Sequence, residues 1–267
     1  MNCDHANVTR NQNVISLMEL LKVEKLSISF GGINALTEID VNVQSGEILG
    51  VIGPNGSGKT TFFNCISGVY KPQKGNIQFE GRNLLGLSPD RVARRGIART
   101  FQNLRLFMHM TVVDNFLLGR HVKFRKNLFH AFLRIRKEEL RHREMVEELI
   151  DFLQLEAYRN ARISDCPYGI QKRAELGRAL ALEPQLLMLD EPISGLTAEE
   201  KQETAYLIHE IKGRFKPTIL LVEHDLKIAS ALADRMVAFD YGVKIAEGTP
   251  KEVQNNPKVI TAYLGGE

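Results

Sequence analysis

The sequence predicts an α/β fold with a mixed sheet core, an antiparallel β flank ahead of it and a helical subdomain at about residues 100–180. Three observations carry that prediction. Unbroken apolar runs at Ile48–Ile52, at 186–189 and within Thr218–Val222 have the length of strands buried on both faces, as in a parallel sheet. Apolar residues recur at strand spacing in Val23, Leu26 and Ile28, and again in Ile39, Val41 and Val43. Between Leu140 and Leu155 the apolar positions Leu140, Val146, Leu149, Ile150 and Leu153 follow helical spacing instead.

Composition sets the outer bounds. At 267 residues with 43% hydrophobic and 25% charged, the chain is long enough for one large domain with a subdomain inside it. A net charge of +3 is too weak to imply a nucleic-acid partner. Cys3, Cys65 and Cys166 show neither pairing nor zinc spacing, which suits a reducing compartment without disulfides. No apolar run approaches the roughly 20 residues that cross a bilayer, and the N-terminus lacks a basic start followed by a hydrophobic core. The chain is expected in the cytosol.

In chain order, residues 1–17 read as a disordered tail, and Met18 opens the structured sequence and is a candidate start. The two alternating strands are punctuated by Gly31-Gly32 and Ser45-Gly46. Phe30, just before the double glycine, could stack on a nucleotide base, although alone it would read as a core residue. The strand at Ile48–Ile52 then breaks into Gly53-Pro54-Asn55-Gly56-Ser57-Gly58-Lys59-Thr60, followed by Thr61 and a helix-forming TFFNCISGV. This is G-x-x-x-x-G-K-[ST], a phosphate-binding loop. Glycines permit positive φ and close backbone approach, so successive N–H groups can converge on phosphate oxygens. Lys59 would reach the β- and γ-phosphates and the Thr60 hydroxyl a Mg²⁺ ion. Short patterns match by chance, but here strand, glycines, Lys-Thr and helix all agree.

Farther on, residues 76–80 form another strand, Ser88-Pro89 caps a short helix stopped by Gly96, and residues 97–101 form a strand with Gln102 at its end. Residues 120–143 hold nine Lys/Arg against Glu138 and Glu139, enough for a face against anionic lipid head groups or simply a solvated helix face. Next, Ser164 or Asp165 can cap a helix with Pro167 at its first position, which puts Tyr168-Gly169 at a helix N-terminus with free N–H groups. Asp190 and Glu191 emerge where the 186–189 run ends, the edge at which open α/β sheets bind ligands. Asp190 can hold Mg²⁺ and Glu191 can orient and deprotonate an attacking water. His224 follows the next buried strand and could contact a γ-phosphate. Residues 235–240 and 243–247 read as a hairpin around Tyr241-Gly242, and Thr249-Pro250 opens a final helix.

Taken together, these motifs resemble the ATP-binding cassette ATPases over nearly the whole chain from Met18. The order matches: Phe30 as the aromatic on adenine, 53–60 as Walker A, Gln102 as the glutamine near Mg²⁺ that senses a transmembrane partner, 166–171 as the signature. Then come 186–191 as Walker B, 194–197 as the loop at the dimer seam, and His224 as the switch histidine. Within the family, GPNGSGKTTFFN, ARTFQNLRLF, the PYG signature, DEPISGLT and NNPKVITAYLGG look most like the ATPase subunit of branched-chain amino acid importers. The resemblance implies a P-loop NTPase fold of ABC type, one domain over 18–267, with ATP and Mg²⁺ as cofactors. It also implies a second cassette, preferably a different one, two transmembrane permease subunits, a binding protein acting indirectly, and a peripheral place on the cytoplasmic face of the cell membrane. No nucleic acid is implied. An exporter such as one for lipopolysaccharide, a soluble cassette protein and a regulatory nucleotide-binding module are the alternatives. The signature departs from LSGGQ at Pro167 and Ile170, and Thr197 replaces the usual acid at the seam, so the site receiving this signature is expected to be the weaker of two.

Overall fold

The computed structural model describes residues 19–123 and 131–264; the predicted tail and residues 124–130 of the basic stretch lie outside the described residues. The chain opens with β1 (Glu19–Phe30) and β2 (Ile33–Gln44), an antiparallel pair joined at Gly31-Gly32, both of which have positive φ. β3 (Ile48–Ile52) leads through the phosphate loop into α1 (Lys59–Ile66). β4 (Lys74–Phe79) and β5 (Arg82–Asn83) complete a four-stranded antiparallel sheet in the order β2-β1-β4-β5. α2 (Pro89–Arg94) has Ser88 at its N-cap and Pro89 in its first turn, as the sequence predicts. β6 (Ile97–Arg99) is shorter than expected, and Gln102 stands three residues beyond it.

The helical segment follows: α3 (Val112–Arg120), α4 (Ala131–Phe152) and α5 (Tyr168–Leu180). β7 (Leu186–Asp190), α6 (Ala198–Phe215), β8 (Thr218–Val222), α7 (Leu226–Leu232), β9 (Arg235–Asp240) and β10 (Val243–Gly248) then alternate before α8 (Pro250–Gln254) and α9 (Pro257–Leu264). The single predicted C-terminal helix is therefore two. The second sheet runs β10-β9-β3-β8-β7-β6, parallel except for the β10–β9 hairpin.

Alternate residues of each central strand enter different cores. Leu49, Val51, Met188, Leu220, Val222 and Phe239 face the antiparallel sheet and α1, whereas Ile52, Leu187, Leu189, Ile219 and Leu221 face the helices on the other side. That is why those strands read as continuous apolar runs rather than as an alternation. Phe62 and Phe63 of α1 are fully buried. Each contributes about 1.5–3 kcal/mol by leaving water, so the helix that carries the phosphate loop is firmly seated.

Three local expectations are corrected. Leu140 is 53% exposed, while His142 is buried in its place. Arg120 does not join a lipid-facing surface: it is 2% exposed, with Nε donating to His142 Nδ1 at 2.7 Å and Nη1 to the Ala181 carbonyl at 3.0 Å. A single basic residue inside a run of nine can be a core ligand, and composition averages over it. Neither Ser164 nor Asp165 caps α5; they lie in a separate 3-10 turn, and Pro167 itself occupies the N-cap in extended conformation.

Candidate active site

The phosphate loop is shaped by glycines at positive φ, two of them with no room for a Cβ. Gly53, Gly56 and Gly58 have φ of 147°, 79° and 101°. A Cβ on Gly53 would lie 2.1 Å from the Phe239 carbonyl oxygen, and one on Gly58 2.7 Å from that of Ala35. The loop is thus pressed between β9 and the start of β2, with Pro54, Asn55 and Gly56 on its outer rim and Ser57 buried. Lys59 is 6% exposed and donates to the carbonyls of Gly53 and Pro54, both at 2.8 Å. Burial holds its pKa below the usual lysine value, and Glu191 and Asp190 oppose that drop. Thr60 and Thr61 follow in the first turn of α1, Thr60 exposed. Phe30 is half-exposed at the end of β1 with its ring edge against Tyr70, centroids 5.1 Å apart.

The second half of the site is built at the C-terminal ends of β6, β7 and β8, three neighbours in one parallel sheet. Asp190 is buried in an ion pair with Arg99, Nη2 to Oδ2 at 2.7 Å. Arg99 also donates from Nη1 to Asn64 at 2.7 Å and Ser67 at 2.9 Å, tying β7 to α1. Glu191 takes φ +48°, with its N–H on the Val222 carbonyl at 3.0 Å. A non-glycine residue in the left-handed region is held there by its surroundings, and such strain collects at functional positions. Two side chains converge on one Glu191 oxygen: Gln102 Nε2 donates to Oε2 at 3.0 Å, and His224 Nδ1 stands 3.9 Å from it. His224 is half-exposed and Glu191 mostly buried, so the carboxylate sits at the floor and the imidazole at the rim.

Tyr168 and Gly169 begin α5, as expected, and meet the seam loop of the same chain. A Cβ on Gly195 would touch the Tyr168 ring at 3.0 Å, and one on Gly169 would lie 2.5 Å from a Glu200 carboxylate oxygen. Thr197 is the N-cap of α6, with Glu200 closing a capping box: the Thr197 N–H donates to Glu200 Oε2 at 2.8 Å. The residue standing where an acid is usual therefore holds a helix start.

Some residues in and around the site were not read from sequence. Arg99 is one, although a charged residue inside a strand of buried neighbours is itself a signal that a buried partner exists. Lys172, 6% exposed, donates to the carbonyls of Gln102 at 3.4 Å and Glu191 at 3.5 Å. Glu175 accepts the Arg105 N–H at 3.1 Å, and Arg178 donates to the Arg105 carbonyl. Through these contacts α5 is fastened to the loop that carries Gln102. In the run Lys172-Arg173-Ala174-Glu175 they look like ordinary helix surface.

Beside that loop lies an apolar groove of about 310 Å³, lined by Val69, Pro89, Val92, Phe101, Phe107 and Leu118 among others. Phe107 is 52% exposed. Among the described residues no helix is long and apolar enough to cross a membrane.

Comparison with known proteins follows the same lines. The family described as ABC transporter matches residues 36–194, and that described as branched-chain amino acid ATP-binding cassette transporter matches residues 243–267. The chain is 42% identical over 252 residues to the high-affinity branched-chain amino acid transport ATP-binding protein LivG of Salmonella typhimurium, covering 92% of this chain and 98% of that protein. To BraF of Pseudomonas aeruginosa, described in the same words, it is 36% identical over 249 residues, with 92% and 98% covered. The solved ADP conformation of an ATP-binding cassette of an ABC transporter superposes with a TM-score of 0.81 at 32% identity, covering 94% of this chain and 100% of that one. A nucleotide-free cassette gives 0.80 at 32% identity, covering 92% and 99%.

Proposed function

The chain belongs to the ATP-binding cassette ATPases of ABC transporters, and on that premise we propose that it powers uptake of branched-chain or related amino acids by hydrolysing ATP beneath two membrane permease subunits. The convergence of Gln102 and His224 on the Glu191 carboxylate, directly after Asp190 and in the same sheet as the phosphate-loop strand, is the observation that carries the reading.

The roles follow from placement. Phe30 offers the adenine an aromatic face. The N–H groups from Gly56 to Thr61, at the start of α1, cradle the phosphates with the helix dipole behind them. Lys59 exchanges the carbonyls of Gly53 and Pro54 for phosphate oxygens, which relieves the cost of its burial. Glu191 takes the proton of the attacking water, and His224 donates to the γ-phosphate from the rim. Thr60, Asp190 and the Gln102 amide oxygen are the residues that would hold Mg²⁺. One hydroxyl, one carboxylate and one amide form a hard oxygen set that fits an ion keeping phosphate oxygens and waters in its other positions. Mg²⁺, when bound, offsets the charge that builds on the phosphates.

Two cassettes close head to tail so that Tyr168 and Gly169 of each cover the nucleotide of the other, and ATP stabilises the closed pair by binding it better than the open one. The pair is a heterodimer with a different cassette. Pro167 and Ile170 lack the serine hydroxyl and glutamine amide of the common signature, so the site that receives them is the slower of the two. The apolar groove beside Phe101 takes a helix of a permease subunit and, through the Lys172 contacts to Gln102 and Glu191, feels whether ATP is present. That arrangement holds the chain at the cytoplasmic face of the membrane, with a solute-binding protein acting on the far side.

The test is affinity purification of the full-length Glu191→Gln chain from native membranes with MgATP, a change that traps the closed state. Two membrane subunits and a second, different cassette are expected. Recovery of a second copy of the same chain would make the dimer homomeric. Recovery of ribosomal or DNA-bound partners without membrane protein would overturn the transport reading.

A further inference from the structure

The last helix of the described chain ends on the phosphate loop. The Gly53 N–H donates to the hydroxyl of Tyr263 at 2.9 Å, a contact between residues 210 apart in sequence. α9 is seated by Val259, 1% exposed, while Ile260 and Leu264 stay half or mostly exposed. Burial pushes the Tyr263 hydroxyl up to about 12, so it remains a neutral acceptor throughout the physiological range.

Gly53 is the point at which such a contact matters. Its carbonyl accepts Lys59 Nζ at 2.8 Å, so Lys59 holds one face of the residue and Tyr263 the other. Its Cα hydrogen side is already against Phe239, where a Cβ would be 2.1 Å from the carbonyl oxygen. On the Tyr263 side the loop borders a cleft of about 850 Å³, lined by Asn55, Ser57, Tyr241, Pro257 and Lys258 among others. Tyr263 itself lines that cleft. The Gly53 N–H precedes the N–H groups that face the phosphates, so satisfying it leaves those free.

We propose that Tyr263 is a positioning residue of the nucleotide site: its hydroxyl on the Gly53 N–H sets the orientation of the loop entrance, so that the N–H groups beyond Gly56 converge on MgATP. The C-terminal segment thereby contributes to nucleotide affinity without touching nucleotide. The inference rests on the phosphate loop being the ATP site.

The experiment compares the full-length wild-type chain with Tyr263→Phe and, as a control on the exposed side of the same helix, Thr261→Ala. Dissociation constants for MgATP are measured on the purified chains and KM and kcat in the assembled transporter. Tyr263→Phe is expected to raise the dissociation constant and KM about fivefold, the ordinary net value of one hydrogen bond, with kcat unchanged and Thr261→Ala like wild type. An unaltered dissociation constant for Tyr263→Phe, with or without a lower melting temperature, would overturn the proposal, as would an equal loss in Thr261→Ala. A wild-type chain that bound no MgATP would instead remove the premise about the phosphate loop.

Discussion

Glu223 follows β8 directly and is completely buried, its Oε1 accepting the Ile193 N–H at 3.4 Å and its Oε2 without a partner. Burial pushes its pKa up from 4.5 to about 8; the N–H groups of Ile193 and His224 pull the other way, and the nearby Glu191 and Asp225 charges add to the rise. In the unfolded chain Glu223 loses that proton near the ordinary value, whereas the folded chain keeps it, so between the two values the folded state binds more protons. The stabilisation is therefore complete below pH 4.5 and is lost as pH rises towards about 8. At about 1.4 kcal/mol per pH unit, that interval sets a ceiling of about 5 kcal/mol. Glu223→Gln has no proton to lose. In urea denaturation of the nucleotide-free chain from pH 5 to 8.5, wild type is expected to lose several kcal/mol relative to the variant over that range. Parallel stability curves for the two proteins would refute the reasoning, because every other titrating group is common to both.

Two further substitutions probe the frame of the site. Arg99→Met leaves the Asp190 carboxylate buried without its cation and is expected to cost about 3–5 kcal/mol in urea denaturation; a loss under about 1 kcal/mol would mean that solvent reaches Asp190. Gly177→Ala places a Cβ 1.9 Å from Phe116 Cζ where α3 crosses α5, and overpacking of that kind costs about 1–3 kcal/mol, read as a lowered denaturation midpoint with an unchanged slope.

What was legible in the sequence is what is local. The phosphate loop, the apolar strands on either side of it and the acids at the end of β7 are each written in a handful of consecutive residues, because strand burial and loop geometry impose composition over that span. Contacts between distant segments leave no such trace. Arg99 pairs with a residue 91 positions away and Tyr263 with one 210 away, and nothing in their neighbours specifies the partner. Lys172 is misleading for a related reason: its helix carries charges on several faces, and only the packing of α5 against the Gln102 loop decides which of them is buried. Arg120 was hidden by its company, since a charge run read as one face has no room for a member that turns inward.

The strand order has a consequence in time. β3 lies between β8 and β9, and Ile48 pairs with Ile219. A ribosome adding roughly 5–20 residues per second needs on the order of ten to thirty seconds to make the residues between them. For that interval one of the most apolar strands of the chain has neither neighbour, an open edge of the kind that pairs with whatever strand is nearest. Slower synthesis lengthens the exposure and leaves the stability of the finished protein untouched.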